Sequence, residues 1–473
     1  MLLKLLYDPK LAQASWLVGC QATGDAIVID PNRDVAAYVR AAQAEGLAIR
    51  HVTETHIHAD FASGSRELAK LTGAPLYLSA EGGPDWQYAF AAEAGATLVR
   101  DGDRIVVGNL RLDVMHTPGH TPEHLSFMLT DGAATERPMG VFTGDFVFVG
   151  DVGRPDLLER AAGIAGTMEV GARQLFASLQ RFKQLPDYLQ IWPGHGAGSA
   201  CGKALGAVPS STLGYERFVN WGLTAAPEED FVRLVLAGQP EPPAYFAHMK
   251  RINRDGPALL GEIAPPALQD TGRLADVLRE GAQVLDLRPT RDFAACHVPG
   301  TLNIPASRSF LTYAGTVLDY ARPIYLLAGD AEAAETARRD LTLIGLDEVA
   351  GWFGPGALEG ASGQTDQWTP AEAAGRVIAG KALVLDVRGR TEWEEVRVGA
   401  SFLLPMSEVV RRMPEIPEGP LVCMCTTGSQ SAVVASLLRA HGRTEVANLS
   451  GGITAWQGAG LPVDREAPAP GTV

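Results

Sequence analysis

A repeat constrains this chain more than any other feature. Val284-Leu-Asp-Leu-Arg288 returns as Val384-Leu-Asp-Val-Arg388, and the same shift of 100 residues pairs Phe293 with Trp393 and Pro305 with Pro405. A segment duplicated in this way has to fold twice into the same unit. Each copy reads as an apolar strand ending in Asp-x-Arg, an irregular loop, and a second apolar strand (Pro323-Ile-Tyr-Leu-Leu; Pro420-Leu-Val-Cys-Met). A helix rich in Ala and Leu follows, then a third strand (Glu348-Val-Ala; Glu445-Val-Ala-Asn-Leu). Strand alternating with helix predicts a parallel α/β sheet in each copy. The second copy closes on Gly451-Gly-Ile-Thr-Ala-Trp, a tight turn feeding a short helix.

The 473 residues leave room for a third, N-terminal segment, at roughly 150 residues per domain. Pro- and Gly-rich stretches at Asp255 to Ala267 and Gly354 to Gln367 mark the boundaries, so the expected domains are 1–255, 265–362 and 366–465. Seven of the ten histidines fall in the first 200 residues, which gives that segment its own chemistry. Its strands (Ala26-Ile-Val-Ile-Asp, Arg104-Ile-Val-Val-Gly, Leu110-Arg-Leu-Asp-Val) alternate with helices such as Val35 to Glu45. Acids outnumber bases by 55 to 40, for a net charge of −15, which disfavours nucleic acid and anionic membranes as partners. No apolar run approaches the ~18 residues of a membrane span, and the N-terminal stretch lacks a cleavage site, so a cytoplasmic location is expected. Five cysteines (Cys20, Cys201, Cys296, Cys423, Cys425) do not make a disulfide framework in a chain this long.

The sharpest cluster is Thr55-His56-Ile-His58-Ala-Asp60-Phe61, directly after the strand Arg50-His-Val-Thr. Thr117-Pro-Gly-His120-Thr, Thr143-Gly-Asp145 and Trp192-Pro-Gly-His195-Gly follow. Four loops presenting imidazole and carboxylate from strand ends can build an open metal site for a borderline ion such as Zn or Fe. The spacing resembles the metallo-β-lactamase family, whose pattern is His-x-His-x-Asp-His, then a His, a bridging Asp and a final His. Phe61 stands where hydrolases of that family carry the last histidine of the cluster. An apolar ring cannot coordinate a cation, so a single metal is favoured over two.

Among single-metal members the chain looks most like the persulfide dioxygenases. That resemblance implies one Fe(II) per chain held by His56, His120 and Asp145, with His58, Asp60 and His195 orienting those ligands. It also implies a low-molecular-weight thiol persulfide and O2 as substrates, and sulfite as product. Arg154, in Asp151-Val-Gly-Arg154-Pro-Asp156, is expected either to steer an anionic thiol substrate or to form a structural ion pair. Cys201, six residues after His195, is a candidate sulfur relay.

In the last segment the strand Leu421-Val-Cys-Met runs into Cys425-Thr-Thr-Gly-Ser-Gln-Ser431 and then a helix. A thiol at such a junction can be wrapped by backbone N–H groups and faces the positive helix end, which stabilises thiolate or persulfide anion. This loop resembles that of the rhodanese sulfurtransferases, with Cys425 as nucleophile and Thr426, Thr427, Gly428, Ser429, Gln430 and Ser431 as the substrate-binding loop. Gln430 takes the place of the family's usual Arg. In the first copy Ala328 aligns with Cys425, so residues 265–362 are expected to be catalytically silent. Cys423 is expected in the core, and Cys20 and Cys296 as structural or incidental.

The order of segments resembles bacterial persulfide dioxygenase and rhodanese fusions. The fold it implies is α/β, a metallo-β-lactamase αββα sandwich followed by two rhodanese-like parallel α/β domains. The implied role is sulfide detoxification, with thiosulfate made or used at Cys425 and a homo-oligomeric assembly. Two other readings are a two-zinc thioester hydrolase of the glyoxalase II kind and a non-catalytic sulfur-sensing scaffold.

Overall fold

The computed structural model describes residues 1–160, 166–203, 205–225 and 227–465. The chain divides into two compact units. The first comprises Met1–Ile263 together with Thr342–Gly345, and the second takes the rest of the described chain from Ala264.

Two six-stranded sheets build the first unit. In strand Gln13–Cys20 every residue is buried, so both faces of its sheet are covered. The two-residue period of a strand sends alternate side chains to opposite faces. Trp16, Val18, Ile27 and Ile29 pack against Ile105, Leu112, Phe127 and Phe142 of the second sheet. The intervening Leu17, Ala26 and Val28 turn the other way, onto Tyr38, Ala42 and Leu68 of helices Val35–Ala44 and Ser65–Thr72. On the far side, Val141 and Ile191 meet Leu175 and Leu179 of helix Thr167–Phe182 and Phe231 of helix Glu228–Leu236. The layers are helix, sheet, sheet, helix. Each of the buried Val, Leu, Ile and Phe side chains contributes roughly 1.5–3 kcal/mol, so the frame can carry loops held together by polar contacts.

Parallel pairing decides where those loops gather. Strands Asp25–Ile29 and Ala48–Thr53 are parallel, as are Gly140–Gly144 and Gln190–Pro193. The chain therefore leaves all four at the same kind of end, delivering Asp30, the 54–60 segment, Asp145 and His195 to one edge of the sandwich.

The second unit holds two parallel sheets in corresponding order. The first copy runs Leu302–Asn303, Gln283–Asp286, Ile324–Leu327, Val349–Phe353. The second runs Phe402–Leu403, Leu383–Asp386, Leu421–Met424, Val446–Leu449, with an added edge strand Asp366–Trp368. The two copies touch through helix Ser429–Ala440, where Ser436 Oγ accepts a hydrogen bond from the Asn303 N–H (3.1 Å). Among the described residues no helix is long and apolar enough to cross a membrane.

Candidate functional site

His56, His120 and Asp145 converge, all buried, with their ligand atoms within 4.8 Å of one another. His120 Nδ1 lies 2.9 Å from the Arg154 carbonyl, which only accepts, so Nδ1 carries the proton and Nε2 keeps its lone pair. Thr55 Oγ1 donates to Asp30 Oδ2 (2.9 Å) and is 2.9 Å from His56 Nδ1, which therefore donates to it and leaves His56 Nε2 free. These two nitrogens face Asp145 Oδ2 at 3.7 and 3.5 Å, and that buried oxygen has no hydrogen-bond partner. Burial first, and then the surrounding imidazoles, hold His56 neutral; burial lowers His120 to about 4. Three lone pairs aimed at one point repel each other unless a cation sits among them. This donor set fits a metal ion.

The remaining residues of the cluster tie these ligands down. Burial opposes charge on Asp145, but the charge and hydrogen bond of His195, with the neighbouring His120 and His58, together outweigh it and keep the carboxyl well below the usual range. His195 lies 2.6 Å from Asp145 Oδ1 through Nδ1 and 2.7 Å from Asp60 Oδ2 through Nε2. Burial again opposes its charge, while the two carboxylates raise it well above the ordinary histidine value. With both nitrogens donating, His195 orients Asp145 and offers no lone pair. His58 Nε2 sits 3.2 Å from Asp30 Oδ1, and its ring packs on Phe61 at 4.4 Å between centroids. Phe61 is fully buried, an apolar wall where a further ligand would stand.

Of the two expectations for Arg154, the structure shows the ion pair. Arg154 is fully buried, pairs with Asp156 through Nε and a terminal nitrogen (both 2.8 Å), and donates to the Ala200 and Pro240 carbonyls. Its side chain holds the loop, not a substrate; what reaches the site is its own carbonyl, on His120. Cys201 comes close to Asp60 and His195 and forms a second group of donors within 4.8 Å. Burial first, then the Asp145 and Asp60 carboxylates, push its thiol well above the ordinary value.

Three residues were not anticipated. Asp30 caps the strand Ala26-Ile-Val-Ile-Asp in a left-handed conformation (φ 53°) and accepts from Thr55 N–H at 2.6 Å, so the 54–58 turn is built on it. His124 Nε2 accepts the Asp145 N–H (3.1 Å), fixing that ligand's backbone. Asn253, on helix Phe246–Asp255, donates to the His58 and Phe61 carbonyls (2.8 and 2.7 Å). Only Asp30 carried a sequence signal, a carboxylate ending a strand; the other two act across the fold.

A separate site lies in the second unit. Cys425 follows strand Leu421–Met424 and is 1% exposed. The Gly428 N–H donates to its sulfur at 3.1 Å, and Ser431 Oγ is 3.4 Å away. Gly428 has φ 94°, and a Cβ there would meet the Leu449 carbonyl at 3.0 Å, so the turn requires glycine. Gly452 is equally constrained: its Cβ would lie 2.2 Å from the Cys425 carbonyl, which Ile453 N–H caps at 2.9 Å. Asn448 accepts from Ser431 Oγ (2.7 Å) and donates to the Gly428 carbonyl (3.2 Å), bracing the loop from a neighbouring strand. Thr426, Thr427 and Ser429 are exposed and Gln430 half-buried, so the loop opens outward around an inward-held thiol. Thr426 Oγ1 donates to Glu392 at 2.8 Å.

The other cysteines are held apart from this chemistry. Ala328 occupies the equivalent point after strand Ile324–Leu327. Cys423 is fully buried, and burial pushes its thiol up. Cys20 is buried and accepts the Asn109 N–H at 3.3 Å, and Cys296 is half-buried.

Comparison with known proteins agrees with this division. Residues 8–195 match the Metallo-beta-lactamase superfamily and residues 369–459 the Rhodanese-like domain. A Hydroxyacylglutathione hydrolase from Rhodospirillum rubrum is 30% identical over 38% of this chain and 60% of its own length. The Persulfide dioxygenase ETHE1, mitochondrial, from Bos taurus is 28% identical over 50% of this chain and 80% of its own. The chain spans 54% of the length of other curated relatives that it matches. A crystal structure of a Metallo-beta-lactamase from Staphylococcus aureus subsp. aureus COL is 45% identical, covering 75% of this chain and 98% of that one with a TM-score of 0.67. With a relative of that identity matched over nearly its whole length, the chain belongs to the metallo-beta-lactamase superfamily, here fused to a C-terminal rhodanese-like domain.

Proposed function

We propose that the chain oxidises a low-molecular-weight persulfide with O2 and one water, giving sulfite and the free thiol, and transfers sulfane sulfur at Cys425 to make or use thiosulfate. The observation that carries this reading is the unpaired Asp145 Oδ2 facing the free Nε2 atoms of His56 and His120 beside the Phe61 wall. Two imidazoles and one carboxylate suit one Fe(II), which when bound would supply open positions for sulfur and dioxygen. Thr55 and the Arg154 carbonyl keep both imidazoles in the ligating tautomer, and His195 holds the far oxygen of Asp145. Cys201, next to Asp60 and His195, is the candidate to relay sulfur from this cleft.

At the second site the Gly428 N–H and the helix start at Ser429 favour negative charge on Cys425 sulfur. Attack of the Cys425 thiolate on a sulfane sulfur forms a Cys425 persulfide and releases the donor as its anion. Sulfite then takes that sulfur, leaving as thiosulfate and restoring the thiolate. Residues 265–362, lacking the thiol, serve as spacer or docking surface, and residues 366–465 carry the transfer. The product of one site is an acceptor at the other, and tethering raises its effective concentration.

An oxygen electrode with iron-loaded protein and a panel of thiol persulfides tests this. Uptake should vanish in His120→Ala and persist in Cys425→Ser. The Asp60, His195 and Cys201 group supports one other reading, a two-metal thioester hydrolase, although both His195 nitrogens are already engaged. Two zinc ions per chain with thioester hydrolysis and no O2 uptake would decide for that hydrolase.

A further inference from the structure

With Arg154 spent on Asp156, the cation that faces the cleft comes from elsewhere. Helix Phe246–Asp255 buries one stripe, Phe246, Met249, Lys250 and Asn253. Three of these fit their surroundings: two are apolar and Asn253 is fully engaged with the 58–63 loop. Lys250 does not fit in the same way. It is 8% exposed, and its ammonium makes no hydrogen bond or carboxylate ion pair with any described residue. A buried ammonium in that state carries a desolvation penalty that apolar packing would avoid.

Its surroundings are built. The ammonium lies over the half-buried Trp86 ring, 4.6 Å from the centroid. Gly82 has no side chain because a Cβ there would strike both Trp86 Cβ (2.8 Å) and the Glu123 backbone (2.9 Å), so the Trp86 loop is pressed against the segment that carries His120. Glu123 Oε1 accepts the Ile57 N–H at 2.9 Å and its buried Oε2 has no hydrogen-bond partner, so this carboxylate balances the Lys250 charge without a hydrogen bond to it. One turn further along the same buried stripe Asn253 donates to the His58 and Phe61 carbonyls, and Glu123 accepts the Ile57 N–H, so Lys250 lies beside the loop that carries the candidate metal ligands. Burial lowers its pKa to about 8, with Glu123 opposing, and the cation still predominates at neutral pH.

We infer that Lys250, seated on Trp86, is the recognition group for an anionic moiety of the sulfur substrate entering the metal cleft. This rests on the persulfide reading above and sharpens its substrate class. The anion can belong to the substrate's terminal sulfur or to a carboxylate on its carrier thiol, and the test separates the two.

In iron-loaded Lys250→Met, KM for O2-coupled persulfide oxidation should rise about 10- to 100-fold, the range of a lost charge-assisted contact, with kcat changed less. A rise with both glutathione persulfide and 2-mercaptoethanol persulfide assigns the sulfur anion; a rise with glutathione persulfide alone assigns the carrier carboxylate. Lys250→Arg, which keeps the charge, should retain most of the affinity, and Trp86→Leu, at a half-buried position, should weaken binding less than Lys250→Met. Calorimetric titration of the loaded proteins with glutathione and with sulfite reads the same site without turnover. At least tenfold weaker binding of either by Lys250→Met supports the inference. KM and both titrations within twofold of the parent protein would overturn it. If the parent consumes no O2 with any persulfide, the dioxygenase reading falls, while the titrations still decide the role of Lys250; should Lys250→Met not fold, Trp86→Leu carries the same comparison, with unchanged binding as the overturning result.

Discussion

The two copies in the second unit share a frame and differ in one loop. Arg288 pairs with Asp286 and Arg388 with Asp386, both at 2.6 Å, and each guanidinium reaches on to the carbonyl eight residues later, Cys296 at 2.9 Å and Val396 at 2.7 Å. The frame is thus fixed twice by the same ion pair to a buried aspartate. After the second strand the copies part. One presents the methyl of Ala328; the other presents Cys425 inside a turn that needs Gly428, Ser431 and Asn448. Packing preserves a fold through many small contacts, whereas the chemistry of this one depends on a single sulfur and the few groups around it.

The largest expected effect breaks the comparison outright. Cys425→Ser should abolish thiosulfate turnover, measured as thiocyanate or sulfite release, and leave O2 uptake unchanged; retained turnover would reject Cys425 as nucleophile. Next comes the shared frame. Arg388→Met strands a fully buried Asp386 and should cost about 3–5 kcal/mol in the unfolding of the full chain. Arg288→Met should cost less, because that side chain is 23% exposed and water can reach the carboxylate left behind. Gln430→Arg, which restores a fixed positive charge beside the thiol loop, should lower KM for thiosulfate by about tenfold. The smallest effect lies where the copies meet: Ser436→Ala leaves the Asn303 N–H without its acceptor and should cost about 1 kcal/mol in denaturant unfolding.

The candidate metal site was legible in its converging residues and in His58, Asp60 and His195 beside them, but not in Asp30, His124 or Asn253. His56, His120 and Asp145 announce themselves through Gly-, Pro- and Thr-bearing loops after strands, and the fold brings those three together. Arg154 shows the limit of such reading, since the same motif serves substrate or structure, and only its contacts with Asp156, Ala200 and Pro240 decide. Asn253 was invisible because its partners, His58 and Phe61, lie 195 and 192 residues away in the chain. Lys250 gave no signal either, since a lysine on a helix is ordinarily solvated.

From the sequence alone came the duplication, the loss of sulfur at Ala328, the thiol loop at Cys425 and the set of His and Asp loops. These are local properties: residue type, spacing and the backbone freedom of glycine act within a few positions. The tertiary structure alone decided which imidazole nitrogen is free, that His195 is locked between two carboxylates, and that Lys250 is buried over Trp86. Those outcomes depend on distances of a few ångströms between groups far apart in the chain, and only burial in one frame sets such distances.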